Sequence, residues 1–418
     1  MPLNLSLVRG QFPALSRPTI FLDNPGGTQI ARQSLERLQS YLIECNANHG
    51  GAFPTSVDSD SRVYAARAAM ADFLNASRPE EIVFGPNMTT LTYNISRAMG
   101  RTLQPGDTIV ITHLDHDANI SPWLQLAEER GCKVRWVDFH LEDGTLDLED
   151  LVQALEERPR LLAVGYASNA LGTINPLKKI IPLAHAAGAL VYVDAVQYAP
   201  HGPIDVKDLD CDFLVCSSYK FFGPHLGILY GKYAHLESLK AYRVRPASPQ
   251  PPEKFETGTG NFEAVCGLHG ALDYFEWLGK TQADEFSEIF QGTYQGRRLV
   301  YKQALAAIQA YELELNRTLL EALQSVPRLK VYGLTDAHKL DQRVPTFSFT
   351  LEGWTPLEVA EHLAETRINV WDGNFYALAV TERLGLENKG GLVRVGATHY
   401  NTLDEVRWLQ SALKALSG

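Results

Sequence analysis

Cysteine is scarce in this chain. Five stand among 418 residues, at positions 45, 132, 211, 216 and 266, with no CxxC pair and no alternation with histidine. An odd, scattered set excludes a disulfide framework and a structural zinc site, and it points to reduced thiols in the cytoplasm. Long apolar runs are missing as well. No stretch reaches the roughly 18 apolar residues of a membrane helix. The opening Met-Pro-Leu-Asn-Leu has neither the charged region nor the apolar core of a signal peptide, so a soluble protein with no membrane partner is expected. Positive charge is in deficit, 38 Lys and Arg against 49 Asp and Glu for a net charge of −11, which argues against nucleic acid as a partner. A small anionic ligand is still compatible, because one pocket can be basic on an acidic protein. Walker A, HExxH and GxSxG sequences are absent, no metal site is expected, and Gly258-Thr-Gly260 lacks the third glycine and leading strand of a dinucleotide fingerprint.

What is present is alternation. Short apolar runs at 81–84, 108–112, 133–137, 161–165, 189–193 and 213–216 read as buried strands, and Ser121–Arg130, 148–155 and 177–187 between them read as helices. This order predicts an α/β fold whose mostly parallel sheet is covered by helices on both faces, with ligands at the carboxyl ends of the strands. A chain of this length exceeds what one core usually serves. We expect an N-terminal segment and large domain over 1–290 and a smaller C-terminal α/β domain over 291–418. The proline-rich 246–252 reads as a surface loop and about 292–326 as a long helix bridging the domains. Thr355-Pro-Leu-Glu358 and Thr402-Leu-Asp-Glu405 fit capping boxes that open helices, and 343–351 and 391–397 read as strands of the smaller domain.

Chemistry-bearing residues gather just beyond the predicted strands. Lys220 follows the strand 213–216 and precedes Phe221 and Phe222, a setting that desolvates an ammonium and lowers its pKa. A neutral amine there can condense with an aldehyde, whereas an ordinary lysine is a solvated surface charge. Asp194 ends the strand 189–193 and is either a turn cap or the buried carboxylate that keeps a pyridine nitrogen protonated. Gln197 is either a polar loop residue or a donor to a phenolic oxygen. His116 lies beyond the strand 108–112, where an imidazole can stack on a flat ring and relay a proton, or simply sit at the surface. Thr89 and Thr90 open a helix after a strand, which makes them an N-cap or the hydroxyls of a phosphate site.

Taken together these residues resemble the class V aminotransferase family of fold-type I pyridoxal 5′-phosphate (PLP) enzymes, in its cysteine desulfurase and selenocysteine lyase branch. The resemblance spans nearly the whole chain. Phe21-Leu-Asp-Asn-Pro-Gly-Gly27 is similar to the family's N-terminal substrate-side segment, which places Gly27 near the substrate. Met88-Thr-Thr90 resembles its phosphate loop, Asp115-His116 its ring-stacking histidine, and Ser168-Asn-Ala-Leu-Gly-Thr173 supplies its asparagine as Asn169. Asp194 and Gln197 match the ring contacts. Ser217-Ser-Tyr-Lys220 matches the lysine motif, with Ser217 also on phosphate. Phe255-Glu-Thr-Gly-Thr-Gly-Asn261 resembles the segment whose threonine, Thr259, reaches the neighbouring subunit's phosphate, and Val393-Arg-Val-Gly396 puts Arg394 on the substrate α-carboxylate. The resemblance implies a homodimer, PLP held as a Schiff base on Lys220, and catalysis by Lys220, His116 and Asp194.

Two positions depart from the family pattern. Tyr219 stands where desulfurases usually have histidine. In the mobile loop Val370-Trp-Asp-Gly-Asn-Phe-Tyr-Ala377, Tyr376 replaces the nucleophilic cysteine, and no cysteine follows Cys266. A phenol cannot attack sulfur to form a persulfide. The resemblance therefore implies a C–S β-elimination lyase on a small amino acid that needs no cysteine. Transamination and epimerisation share its early steps and stay open, as does a non-catalytic binding protein of the same fold. Trp371, Asn374 and Tyr376 either shape the side-chain pocket or pack the loop.

Overall fold

The computed structural model describes residues 3–417; the first two residues of the opening read above for a signal peptide, and the last residue of the C-terminal domain, lie outside them. Its strands, in chain order, are β1 (Ile20–Phe21), β2 (Ile82–Gly85), β3 (Thr108–Thr112), β4 (Lys133–Val137), β5 (Leu161–Gly165), β6 (Leu190–Asp194), β7 (Phe213–Ser217), β8 (Gly227–Gly231), β9 (Leu329–Tyr332), β10 (Thr346–Leu351), β11 (Ile368–Asn369), β12 (Trp371–Gly373) and β13 (Leu392–Gly396).

Seven of them form one sheet in the order β2-β8-β7-β6-β5-β3-β4, parallel except for β8, which runs antiparallel to both neighbours. The central strands are buried along their whole length, which is why they read as unbroken apolar runs and not as alternation. The edge strand β4 instead carries exposed Lys133 and half-buried Arg135, charges that discourage pairing with another chain. The mostly parallel sheet covered by helices is the fold the sequence predicts.

The strand β8 escapes sequence reading because glycines bound it at both ends and glycine disfavours strands. One of those glycines positions the site. A Cβ at Gly227 would lie 2.3 Å from the backbone carbonyl carbon of Asn87, so only glycine lets the loop before the helix Met88–Met99 rest on β8. The cap of that helix is Asn87, whose side chain accepts the Thr90 N–H at 2.8 Å. Neither threonine is the cap, a correction to the expectation of an N-cap threonine: the amide oxygen one position outside the helix already takes the orphan donor.

A second, antiparallel sheet in the order β12-β13-β10-β9 carries the C-terminal part. The expected strand 343–351 begins only at Thr346, because the side chain of Arg343 turns inward to donate to the carbonyls of Leu334, Leu171 and Thr346. The long helix is Gly296–Gln324, and both capping boxes form, at Thr355 with Glu358 and at Thr402 with Glu405. β1 pairs in parallel with β11, and Asp23 bridges to Gly396, so the N-terminal segment is stitched to the C-terminal sheet. That stitch carries Pro25 and Gly26 to the mouth of the site. We propose the domain division at 290, between the short helix Ser287–Phe290 and Gly296–Gln324. No helix among the described residues is long and apolar enough to cross a membrane.

Candidate active site

Loops leaving the carboxyl ends of β2, β3, β5, β6 and β7 converge, as a parallel sheet directs. They enclose a cavity of about 900 Å³ that narrows into a recess of about 60 Å³. Thr89, His116, Asn169, Tyr219 and Lys220 line both. Asp194 and Gln197 line the recess alone, and Arg394 lines the outer cavity. Lys220 and Asp194, predicted from two different strand ends, thus face one space small enough for a single aromatic ring.

Burial sets the charges. The Lys220 amine is pushed down to about 7, first by burial and then by the Arg394 cation, with Asp194 opposing. Its Nζ donates to the carbonyl of Pro25 from the N-terminal segment. Asp194 is pushed up to about 6 by burial, against the Val196 N–H that donates to it at 2.9 Å and against Lys220. His116 is held neutral, down at about 3, by burial and then by Lys220 and Arg394. Its Nδ1 accepts the Ala118 N–H at 3.0 Å, so the ring proton resides on Nε2. Asp115, behind the histidine, is raised to about 7 by burial, although Asn119 and Thr112 both donate to it.

Arg394 sits on β13 opposite Ser348 of β10 and Trp371 of β12. Its Nη1 donates to the carbonyl of Asn169 at 2.9 Å and its guanidinium stacks 4.3 Å from the Phe375 ring, while its buried Nε has no partner. Asn169 in turn gives Nδ2 to the carbonyl of Phe375 at 2.9 Å, leaving its Oδ1 buried and unpartnered. Burial lowers Arg394 to about 9, still cationic at neutral pH.

Thr90, Ser217 and Gly27 need correction, since none of them lines either space. The Nε2 of Gln197 donates one hydrogen to Thr346 Oγ1 at 3.1 Å and keeps its second, and its Oε1 is buried without a partner. Thr90 does not line the cavity or the recess, and its N–H donates to Asn87. Ser217 is fully buried at the end of β7 and accepts the Met88 N–H at 3.4 Å. Gly27 packs against the Tyr219 ring, and its neighbours Pro25 and Gly26 line the cavity instead. Thr259 is exposed and lies outside both spaces of its own chain. The loop carrying Tyr376 is pinned by contacts. Trp371, Asp372 and Gly373 pair with β13, Phe375 and Tyr376 adopt left-handed conformations in succession, and the Tyr376 carbonyl accepts the Asp117 N–H at 2.6 Å. The Tyr376 ring stacks on His116 at 5.6 Å. Sequence reading missed Tyr93, Asp117, Asp372, Phe375 and Glu387 as lining residues.

The donor set suits PLP. The recess pairs an amine with a buried carboxylate, sets a flat imidazole beside them, and ends at Met88 and Thr89, where a twelve-residue helix begins. Its unpartnered Gln197 Oε1 and Asn169 Oδ1 are polar atoms that need a ligand.

The sequence profile described as aminotransferase class-V matches residues 20–297 and 290–409. The chain is 37% identical to an aminotransferase-like protein of Gibberella zeae over 97% of each chain. The chain belongs to the class V aminotransferase family. It is a PLP-dependent enzyme and is related to the cysteine desulfurases. It is 34% identical to a cysteine desulfurase of Pectobacterium atrosepticum, covering 100% of this chain and 98% of that one. It is also similar in structure to the apo cysteine desulfurase of Thermococcus onnurineus NA1, with a TM-score of 0.85 and 27% identity over 100% of this chain and 98% of that one.

For a class V aminotransferase the depressed Lys220 pKa has a measurable consequence. Only the neutral amine attacks an aldehyde. The rate at which cofactor-free protein takes up PLP is expected to rise with pH, bend near 7 and level off above it. A rise that continued towards the 10.5 of an ordinary lysine, followed by absorbance in stopped flow, would show that Lys220 is not desolvated.

Proposed function

We propose that this enzyme is a carbon–sulfur lyase that eliminates sulfur from the β-carbon of an amino acid without a persulfide-forming cysteine. The observation that carries this reading is a free guanidinium edge at Arg394 in a cavity that none of the five cysteines lines. Cys45, Cys211, Cys216 and Cys266 are buried, and burial raises the thiol pKa of each. None offers a thiolate to a substrate sulfur.

In this reading the substrate α-carboxylate takes the Nε edge of Arg394, whose Nη1 is anchored on Asn169. Asp194 would hold the cofactor's ring nitrogen, His116 its face, and Thr89 with the N-terminal end of its helix the phosphate. PLP, when bound, supplies an electron sink for the pair left at Cα. Lys220, neutral in a large fraction of molecules near pH 7, removes the Cα proton. The ammonium so formed on Lys220 passes that proton to the departing sulfur, which returns the amine to its neutral form. The C–S bond breaks and a thiol leaves. The released 2-aminoacrylate takes up water to give pyruvate and ammonium, so one thioether amino acid and one water yield one thiol, one pyruvate and one ammonium. Thr259, exposed on its own chain, reaches the phosphate site of a second copy in a homodimer; a monomer by light scattering would contradict that part.

Incubation of the purified enzyme with L-cysteine, L-cystine and thioether amino acids is expected to release pyruvate, ammonia and a thiol, hydrosulfide or persulfide in equal amounts. Intact mass is expected to show no sulfur added to the protein. Consumption of a keto acid would make it a transaminase, and loss of optical activity without product an epimerase. A sulfur adduct on a cysteine would overturn the cysteine-free route.

A further inference from the structure

Charge changes sign between the floor of the cavity and its remaining walls. The two lining cations are Lys220 and Arg394, the second close enough to depress the first, and every other charged lining residue is an acid: Asp117, Asp372 and Glu387. His116 adds no cation because it is held neutral. All three acids are half-buried, and no cation pairs with any of them among the described residues. Glu387 accepts from Asn374 Nδ2 at 3.1 Å and Thr381 Oγ1 at 2.5 Å, and Asp117 accepts the Ser121 hydroxyl at 2.8 Å. The Asp372 carboxylate has no hydrogen bond or ion pair among the described residues. It stands on β12, where it pairs with Val393 of β13.

Aromatic faces accompany these acids. Trp371, 47% exposed, and Tyr376, 74% exposed, line the same cavity with Tyr93. Trp371 is brought there by a close approach, since a Cβ at Gly26 would lie 2.1 Å from its Nε1. Carboxylates beside aromatic faces are the partners of an organic cation. Independently, the buried and unpartnered Arg394 Nε and Asn169 Oδ1 point to a ligand at the floor. A cavity of about 900 Å³ leaves room beyond an amino-acid head group for a long side chain.

We propose that the amino-acid substrate carries a second positive charge, an ammonium or guanidinium, at the far end of its side chain, seated against Asp372 and Asp117. This rests on the reading that Arg394 takes the α-carboxylate. Holoenzyme titrated by calorimetry with L-lysine and with L-norleucine, its uncharged analogue, tests it. Lysine is expected to bind at least about fivefold more tightly at low salt, and the preference is expected to shrink as salt screens it. Asp372→Asn is expected to remove most of the preference while norleucine affinity holds within about twofold, and Asp372→Glu, which keeps the charge, is expected to retain it. Equal affinities in the wild type, or a preference untouched in Asp372→Asn, would overturn the proposal. Failure of the underlying reading looks different: Arg394→Ala would then leave the affinity for norleucine unchanged, and binding of neither amino acid would overturn both.

Discussion

Replacement of Lys220 by alanine is expected to cut turnover by at least about 10³-fold and to erase the visible absorbance of the lysine-linked cofactor, with the fold retained. Two roles end at once, the covalent anchor and the base at Cα. Stability is not expected to suffer. A lysine whose folded pKa is about 7 against 10.5 unfolded binds fewer protons in the folded state between those values. The charge therefore costs stability at neutral pH, a cost that shrinks as pH rises towards 10.5, and its removal leaves the melting temperature of the cofactor-free protein equal or higher. Absorbance spectra and thermal melts of both proteins check this. An unchanged visible band in the variant would take Lys220 out of the chemistry.

Arg394→Ala is expected to separate substrate binding from cofactor attachment. The guanidinium is desolvated, stacked on Phe375 and anchored to Asn169, so a carboxylate meeting its free edge finds an oriented donor pair and little competing water. Loss of one partner of such a buried pair weakens amino-acid binding by about 10²-fold or more, seen as a raised KM. The absorbance of the lysine-linked cofactor is expected to persist, because Lys220 and Asp194 are untouched. Arg394→Lys keeps the charge but not the fork, so it restores only part of the affinity. Unaltered substrate affinity in the alanine variant would contradict the role assigned to this side chain.

Much of this architecture is legible along the chain. The runs 108–112 and 161–165 are β3 and β5 residue for residue, because strands covered on both faces must be buried throughout, and 133–137 is the edge strand β4, read from its Val and Trp despite its two charges. Lys220, Asp194 and His116 were readable as candidates because each lies within four residues of the end of such a run. Local competition was harder to read. Asn87, not a threonine, caps the phosphate-side helix, and β8 hides between glycines, one of which is there for the backbone of Asn87. Asp372, Phe375 and Glu387 carried no signal, since an acid or a phenylalanine in a loop looks the same whether it faces solvent or a substrate.

The amino-acid order by itself determined the parallel sheet, the amine at its edge of strands and the absence of a thiol in the loop that holds Tyr376. These depend on short-range pattern: periodicity, residue type and the residue that follows a strand. Only tertiary structure decided that Arg394 keeps one edge free, that Gly26 admits Trp371, and that three acids share a cavity with no cation paired to any of them among the described residues. Those facts arise where β1 docks on β11 and β13 faces the ends of β5 and β7, contacts between segments hundreds of residues apart, and the dielectric and pairing of a charge are set by what surrounds it in space.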